Sequence, residues 1–63
     1  MFAIEFIQSH ELVGVDPSDA HWTRMIVEHD TEAAARDEKG WLEMEGDGYA
    51  YRIVDTVAGV VAA

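Results

Sequence analysis

Three acidic side chains alternate along one stretch of this sequence, at Glu43, Glu45 and Asp47, and the last of them lies between two glycines. Hard cations such as calcium take oxygen ligands from alternate loop positions, with glycine at the sharp bend. The stretch lacks the Asp-x-Asp-x-Asp-Gly run and the distal glutamate of an EF-hand loop. The stretch therefore has two interpretations: an exposed turn at the rim of a charged surface or, as the alternative, a metal site.

The histidines His10, His21 and His29 are the other candidate ligands, since transition metals favour imidazole combined with carboxylate. Their spacing matches no motif such as His-Glu-x-x-His. The sequence also shows no glycine-rich phosphate loop, nucleophile elbow or Ser/His/Asp pattern. We expect a protein that is not an enzyme, with no cofactor and no assigned metal ligands.

Excess negative charge is the most informative feature of the composition. Four basic residues against thirteen acidic ones give a formal net charge of −9 at pH 7. Phosphate backbones and anionic lipids repel such a chain, so direct binding to nucleic acid or membrane is not expected. A basic protein or a cation is a partner that this negative charge allows. Acids on alternate strand residues lie about 6.7 Å apart, so imitation of a DNA backbone is a further alternative.

The 63 residues are expected to form one soluble, cytoplasmic domain, 1–63. The absence of cysteine is typical of a reducing compartment. The run MFAIEFIQ contains an acid and no basic region, unlike a signal peptide, and the apolar run VAGVVAA is too short to span a bilayer. Because so short a chain builds only a small core, we expect a homodimer or a bound partner to add stability.

The first half of the chain predicts two strands. Phe2, Ile4 and Phe6 alternate with smaller or polar residues, which indicates a strand over 2–8 with one face buried. The segment DPSD favours a short turn at 17–20, followed by a strand over about 22–29. A helix running from Pro17 through that segment is the alternative, because proline suits the first helical position.

The segment from Thr31 onwards is rich in alanine and glutamate, which predicts a helix over 31–43 that frays after Gly40. Glycine costs about 1 kcal/mol inside a helix. Continuing past it adds Trp41 and Leu42 as two large anchors on the face of the helix that packs. The alternative is a strand over 41–45 that enters a hairpin turn at Gly46-Asp47-Gly48.

The last predicted element is a strand after Gly48, with Tyr49, Tyr51 and Ile53 on one face. The order is then β-β-α-β, or β-β-α-β-β if 41–45 is a fourth strand. We expect an α+β fold in which one helix packs on one face of a small, three-stranded antiparallel sheet.

Acidic residues surround the aromatic residues in this second half of the chain. Aromatic anchors ringed by charge are typical of a protein-binding patch, because the centre desolvates while the rim steers the partner. The expected function is therefore non-enzymatic binding of a protein partner. The candidate partner-binding residues are Trp41, Glu43, Glu45, Asp47 and Tyr49.

The segments VEHDTEAAAR (27–36) and GYAYRIV (48–54) give the chain a resemblance to a known group. The order of strand, Asp-Thr cap, helix and strand in these segments resembles that of small accessory proteins of bacteriophages that infect actinobacteria. The resemblance covers about half of the chain. It implies a protein that acts in a bacterial cytoplasm by binding a host protein, and it transfers no functional residues.

Overall fold

The computed structural model describes all residues, 1–63, as a four-stranded sheet with one helix packed against it. The strands are β1 (Phe2–Gln8), β2 (Thr23–His29), β3 (Tyr49–Asp55) and β4 (Val60–Val61), and the helix is α1 (Glu32–Met44). The strand order is β2-β1-β3-β4, and every neighbouring pair is antiparallel. The predicted α+β fold is confirmed.

β1 is an interior strand, paired with β3 along its full length and with β2 on its other side. The register places Ile4 opposite Ile53, and both side chains are fully buried. The alternating pattern of β1 explains this position, because large apolar residues on one face can pack under a helix while the other face carries Glu5.

The helix begins where the sequence predicts. Thr31 is its N-cap, and its hydroxyl oxygen accepts a hydrogen bond from the Ala34 N–H at 3.2 Å. Glu32 and Arg36 form an ion pair one turn apart, at 2.8 Å. The helix runs through Gly40 without a break and ends at Met44, so the alternative strand over 41–45 is wrong.

The segment before β2 forms a turn rather than a helix. Asp16 Oδ1 accepts hydrogen bonds from the N–H of Ser18 at 2.9 Å and from its hydroxyl at 2.8 Å. These bonds lower the pKa of the Asp16 carboxyl. They close a single 3-10 turn, Pro17–Asp19, and the chain then extends into β2. The alternative helix is wrong, since the capping interactions hold only this one turn.

The sheet has a fourth strand, as the order β-β-α-β-β allows, but that strand does not lie at 41–45. The fourth strand is Val60–Val61, which pairs with Val54 and Asp55 of β3. Asp55 Oδ1 accepts the N–H groups of Val57 and Ala58 in the connecting turn. Gly59 follows with a φ of 73°, a left-handed conformation in which glycine has no steric penalty.

The core is small, because only seven of the 63 residues are buried. β1 and β3 supply most of it, and Ala35 is the single buried residue of α1. The buried apolar residues are Ala3, Ile4, Ile7, Ala35, Ile53 and Val54. The helix α1 has neither the length nor the apolar character of a transmembrane span.

Candidate protein-binding surface

The outward face of α1 carries two large apolar side chains that the fold leaves in water. Trp41 is 63% exposed and Met44 is 78% exposed. Together with Arg36, Asp37 and Gly40 they line a shallow groove of about 480 Å³. Gly40 adds no side chain to the groove, and nothing lies within 4 Å of the point where its Cβ would be.

This arrangement corrects the expectation that Trp41 anchors the helix to the sheet. Successive residues of an α-helix are 100° apart, so Trp41 and Leu42 cannot both lie at the centre of one packed face. Leu42 points to the sheet, where it lines a small cavity with Phe6, Met25 and Tyr51. Trp41 points outwards, away from the buried Ala35.

The three acids of the candidate surface are all exposed, but they differ in their partners. Glu43 pairs with Lys39 one turn earlier, at 3.2 Å, and a pair this exposed contributes little to stability. Glu45 is the C-cap of the helix and forms no ion pair. Asp47 lies between Gly46 and Gly48, whose φ values are 61° and 81°.

Asp47 is held in place by β3. Its Oδ1 accepts the N–H of Tyr49 at 3.2 Å, and its Oδ2 accepts the hydroxyl of Tyr51 at 2.9 Å. Partial burial, followed by the Asp47 hydrogen bond and charge, raises the pKa of Tyr51 to about 12. The predicted turn at 46–48 is thus a fixed connection that leads the chain from α1 into β3.

Tyr49 is separated from the apolar groove. Its ring packs edge-on against Phe6 on the helix side of the sheet, with ring centroids 5.6 Å apart, and it is only partly exposed. The structure therefore places Glu43, Glu45 and Asp47 one after another along the end of α1 and the turn that follows it, without joining them in a cluster. It places Trp41 on the outer helix face and makes Tyr49 part of the packing between helix and sheet.

Sequence reasoning missed a charged cluster on the opposite face of the sheet. Glu5 is 7% exposed and lies between Arg24 of β2 and Arg52 of β3, directly across from both. Arg24 Nη2 is 3.1 Å from Glu5 Oε2, and Arg52 Nη2 is 2.7 Å from Glu5 Oε1. The sequence indicates this cluster only through the position of Glu5 among apolar residues of β1. The two arginine partners of Glu5 are set by strand register, which short-range patterns do not reveal.

Trp22 belongs to this opposite face as well. Its indole N–H donates to the Pro17 carbonyl oxygen at 2.8 Å, and its ring lies 4.3 Å from the Arg52 guanidinium carbon in a cation–π contact. The indole thereby joins the turn before β2 to the charged cluster. Trp22 is a structural residue of the sheet's second face and is distinct from the surface around Trp41.

Neither the alternating acids nor the three histidines form a ligand cluster. No three His, Asp or Glu side chains converge in an arrangement that could hold a metal ion. His29 lines a cavity of about 170 Å³ with Glu38, but its other walls are Ile4, Met25 and Val27.

Comparison with protein-family models, with curated proteins and with solved structures finds no match to this chain. The candidate site is therefore defined by its own geometry: an exposed apolar groove on α1 that leads into an acidic helix end.

Proposed function

We propose that the protein is a non-enzymatic, acidic binding module that holds a protein partner on the outer face of α1. The observation that carries the proposal is the pair Trp41 and Met44, which stand exposed on a helix whose own packing uses Leu42 and Ala35. Tryptophan is among the residues that contribute most to binding energy when a partner covers it. Methionine adapts its shape to an apolar partner surface.

The charges around the groove favour a basic partner. Asp37 lines the groove beside Arg36, whose charge is paired with Glu32. Glu45 and Asp47 follow at the helix end without a basic side chain bound to them. The formal net charge of −9 adds a long-range field of the same sign. Such a field steers a positively charged partner and speeds its association.

The resemblance to accessory proteins of actinobacterial bacteriophages makes a host protein in the bacterial cytoplasm the first partner to test. Affinity capture from an actinobacterial lysate, followed by mass spectrometry, compares the wild type with Trp41→Ala and with Glu43→Lys/Glu45→Lys. We expect the captured protein to be basic and to be lost with both variants.

Matched controls separate the surface from general charge and folding effects. Glu11→Lys/Asp19→Lys makes the same double charge reversal at exposed positions before β2, and Val13→Ala removes an apolar side chain that is 80% exposed elsewhere. Both controls should retain the partner, and circular dichroism should show that all variants are folded. A partner that binds Trp41→Ala and Glu43→Lys/Glu45→Lys as tightly as the wild type contradicts the proposed surface. Displacement of the partner by duplex DNA favours the DNA-mimic alternative.

A further inference from the structure

The outer edge of β2 has no partner strand in the protomer. β2 ends the sheet on one side and has seven residues, whereas the opposite edge is β4, with only two. An edge strand offers unpaired backbone N–H and C=O groups to another strand, and proteins commonly protect such edges with lysine or proline. β2 contains neither, and its central residue, Ile26, is 97% exposed.

The sequence of β2 is complementary to itself in an antiparallel register centred on Ile26. In that register Ile26 meets Ile26 of a second copy, and Arg24 meets Glu28 in both directions, so every charge on this face lies opposite its counter-charge. On the other face Met25 meets Val27, and Thr23 meets His29. Opposite charges and apolar pairs directly across two strands both stabilise a sheet.

The side chains that this register brings together are available for it. Glu28 is exposed and makes no ion pair or side-chain hydrogen bond within the chain. Arg24 gives only Nε and Nη2 to Glu5, and about half of its side chain is exposed. The Arg24 Nη1 group is therefore free to donate to a carboxylate that arrives from outside the protomer.

The pairing with β1 is irregular at the same place. The register shifts between the pairs Ala3–Glu28 and Glu5–Arg24, so Met25, Ile26 and Val27 face only Ile4. Three residues opposite one leave backbone groups of β2 without a partner in β1. The bulge lies at the centre of the self-complementary register, so two paired copies place their bulged segments against each other.

We infer that β2 is a self-association edge, through which two copies of this chain pair their β2 strands antiparallel about Ile26 to form one continuous eight-stranded sheet. The interface is isologous, as in most homodimers. A strand pair buries less surface than the 1,200–2,000 Å² or so of a standard stable interface, so the dimer is weak. The dimer uses a different element from the proposed binding surface around Trp41, so the test of one proposal does not decide the other.

Cysteine crosslinking tests the register directly, because the native chain has no cysteine. Directly opposed residues in an antiparallel pair have Cα atoms about 4.5–5.5 Å apart, which lies within the range of a disulfide. Ile26→Cys should therefore form a covalent dimer under mild oxidation, and Met25→Cys should crosslink to Val27→Cys when the two are mixed. Val13→Cys is the control for random collision, because Val13 lies away from β2 and is also largely exposed, at 80% against 97% for Ile26. If Ile26→Cys crosslinks no faster than Val13→Cys, the inference is overturned.

Sedimentation equilibrium across micromolar to millimolar protein measures the dimer without a crosslink. It is run near physiological ionic strength, where the Debye length of about 8 Å limits repulsion between two acidic copies. Glu28→Lys places two like-charged pairs across the interface and should raise the Kd about tenfold. Asp19→Lys, with the same change of charge, should dimerise at least as well as the wild type. A wild-type chain that stays monomeric throughout, or equal effects of the two variants, overturns the self-association edge.

Discussion

Arg52 and Glu5 form the shortest ion pair of the protein, with Nη2 of the arginine 2.7 Å from Oε1 of the glutamate. The two residues are 47 positions apart in the chain, and the pairing of β1 with β3 places them directly opposite each other. Glu5 is also bound by Arg24, so one buried carboxylate connects the three strands β2, β1 and β3.

This cluster leads to the first prediction. Glu5→Gln keeps the shape of the side chain but leaves two guanidinium groups without their counter-charge, and should lower the free energy of unfolding by about 2 kcal/mol. Arg24→Gln should cost only about 0.5 kcal/mol, because about half of that side chain is in water. Urea unfolding measures both values. Equal losses from the two variants would show that Glu5 is not the centre of the cluster.

The second prediction concerns Gly40, which lies inside α1 with open space where a Cβ would be. Gly40→Ala should raise the free energy of unfolding by about 0.5–1 kcal/mol, because alanine has the higher helix propensity and restricts the unfolded chain. Gly48→Ala is the matched comparison, since the same space is open there but φ is +81°. It should destabilise the protein, and thermal melts of the two variants should shift in opposite directions.

The third prediction is the alkaline behaviour of Tyr51. Its pKa of about 12 in the folded protein lies above the ordinary value of 10.0, so the unfolded state loses its phenolic proton first. The stability that Tyr51 contributes is fully present below pH 10 and is lost as the pH rises from 10 to about 12. Titration of the tyrosinate absorbance should show one late transition, which is absent in Tyr51→Phe.

Asp47→Asn provides the corresponding test of the cause. The amide can still accept the hydroxyl of Tyr51, but it carries no charge, so the late transition should move to lower pH. A transition that stays in place would assign the shift in pKa to burial and the hydrogen bond, with no contribution from the charge of Asp47.

The local elements of this protein follow from local sequence. Alternation in Phe2–Gln8, the Asp16–Pro17 turn and the Thr31 cap before an alanine-rich helix are each read within one short segment, and the structure confirms them. Gly40 was the position at which local sequence and packing disagree. The low helix propensity of glycine predicts that the helix ends there, but the packing of Leu42 against the sheet continues the helix to Met44. The two-residue strand β4 is too short to give an alternating pattern.

The candidate binding residues likewise depend partly on local sequence and partly on tertiary packing. Sequence alone determined that acid gathers at Glu43, Glu45 and Asp47, and that aromatic residues flank it. Whether an aromatic ring is core or surface depends on the rotation of α1 against the sheet, which only packing decides: Leu42 is turned inwards, and Trp41 is left in water. Strand register, likewise a product of long-range pairing, decided that Glu5 meets Arg24 and Arg52. The chain's own residues thus determined its elements and its charge, while contacts between residues far apart in sequence decided which side chains remain exposed for binding.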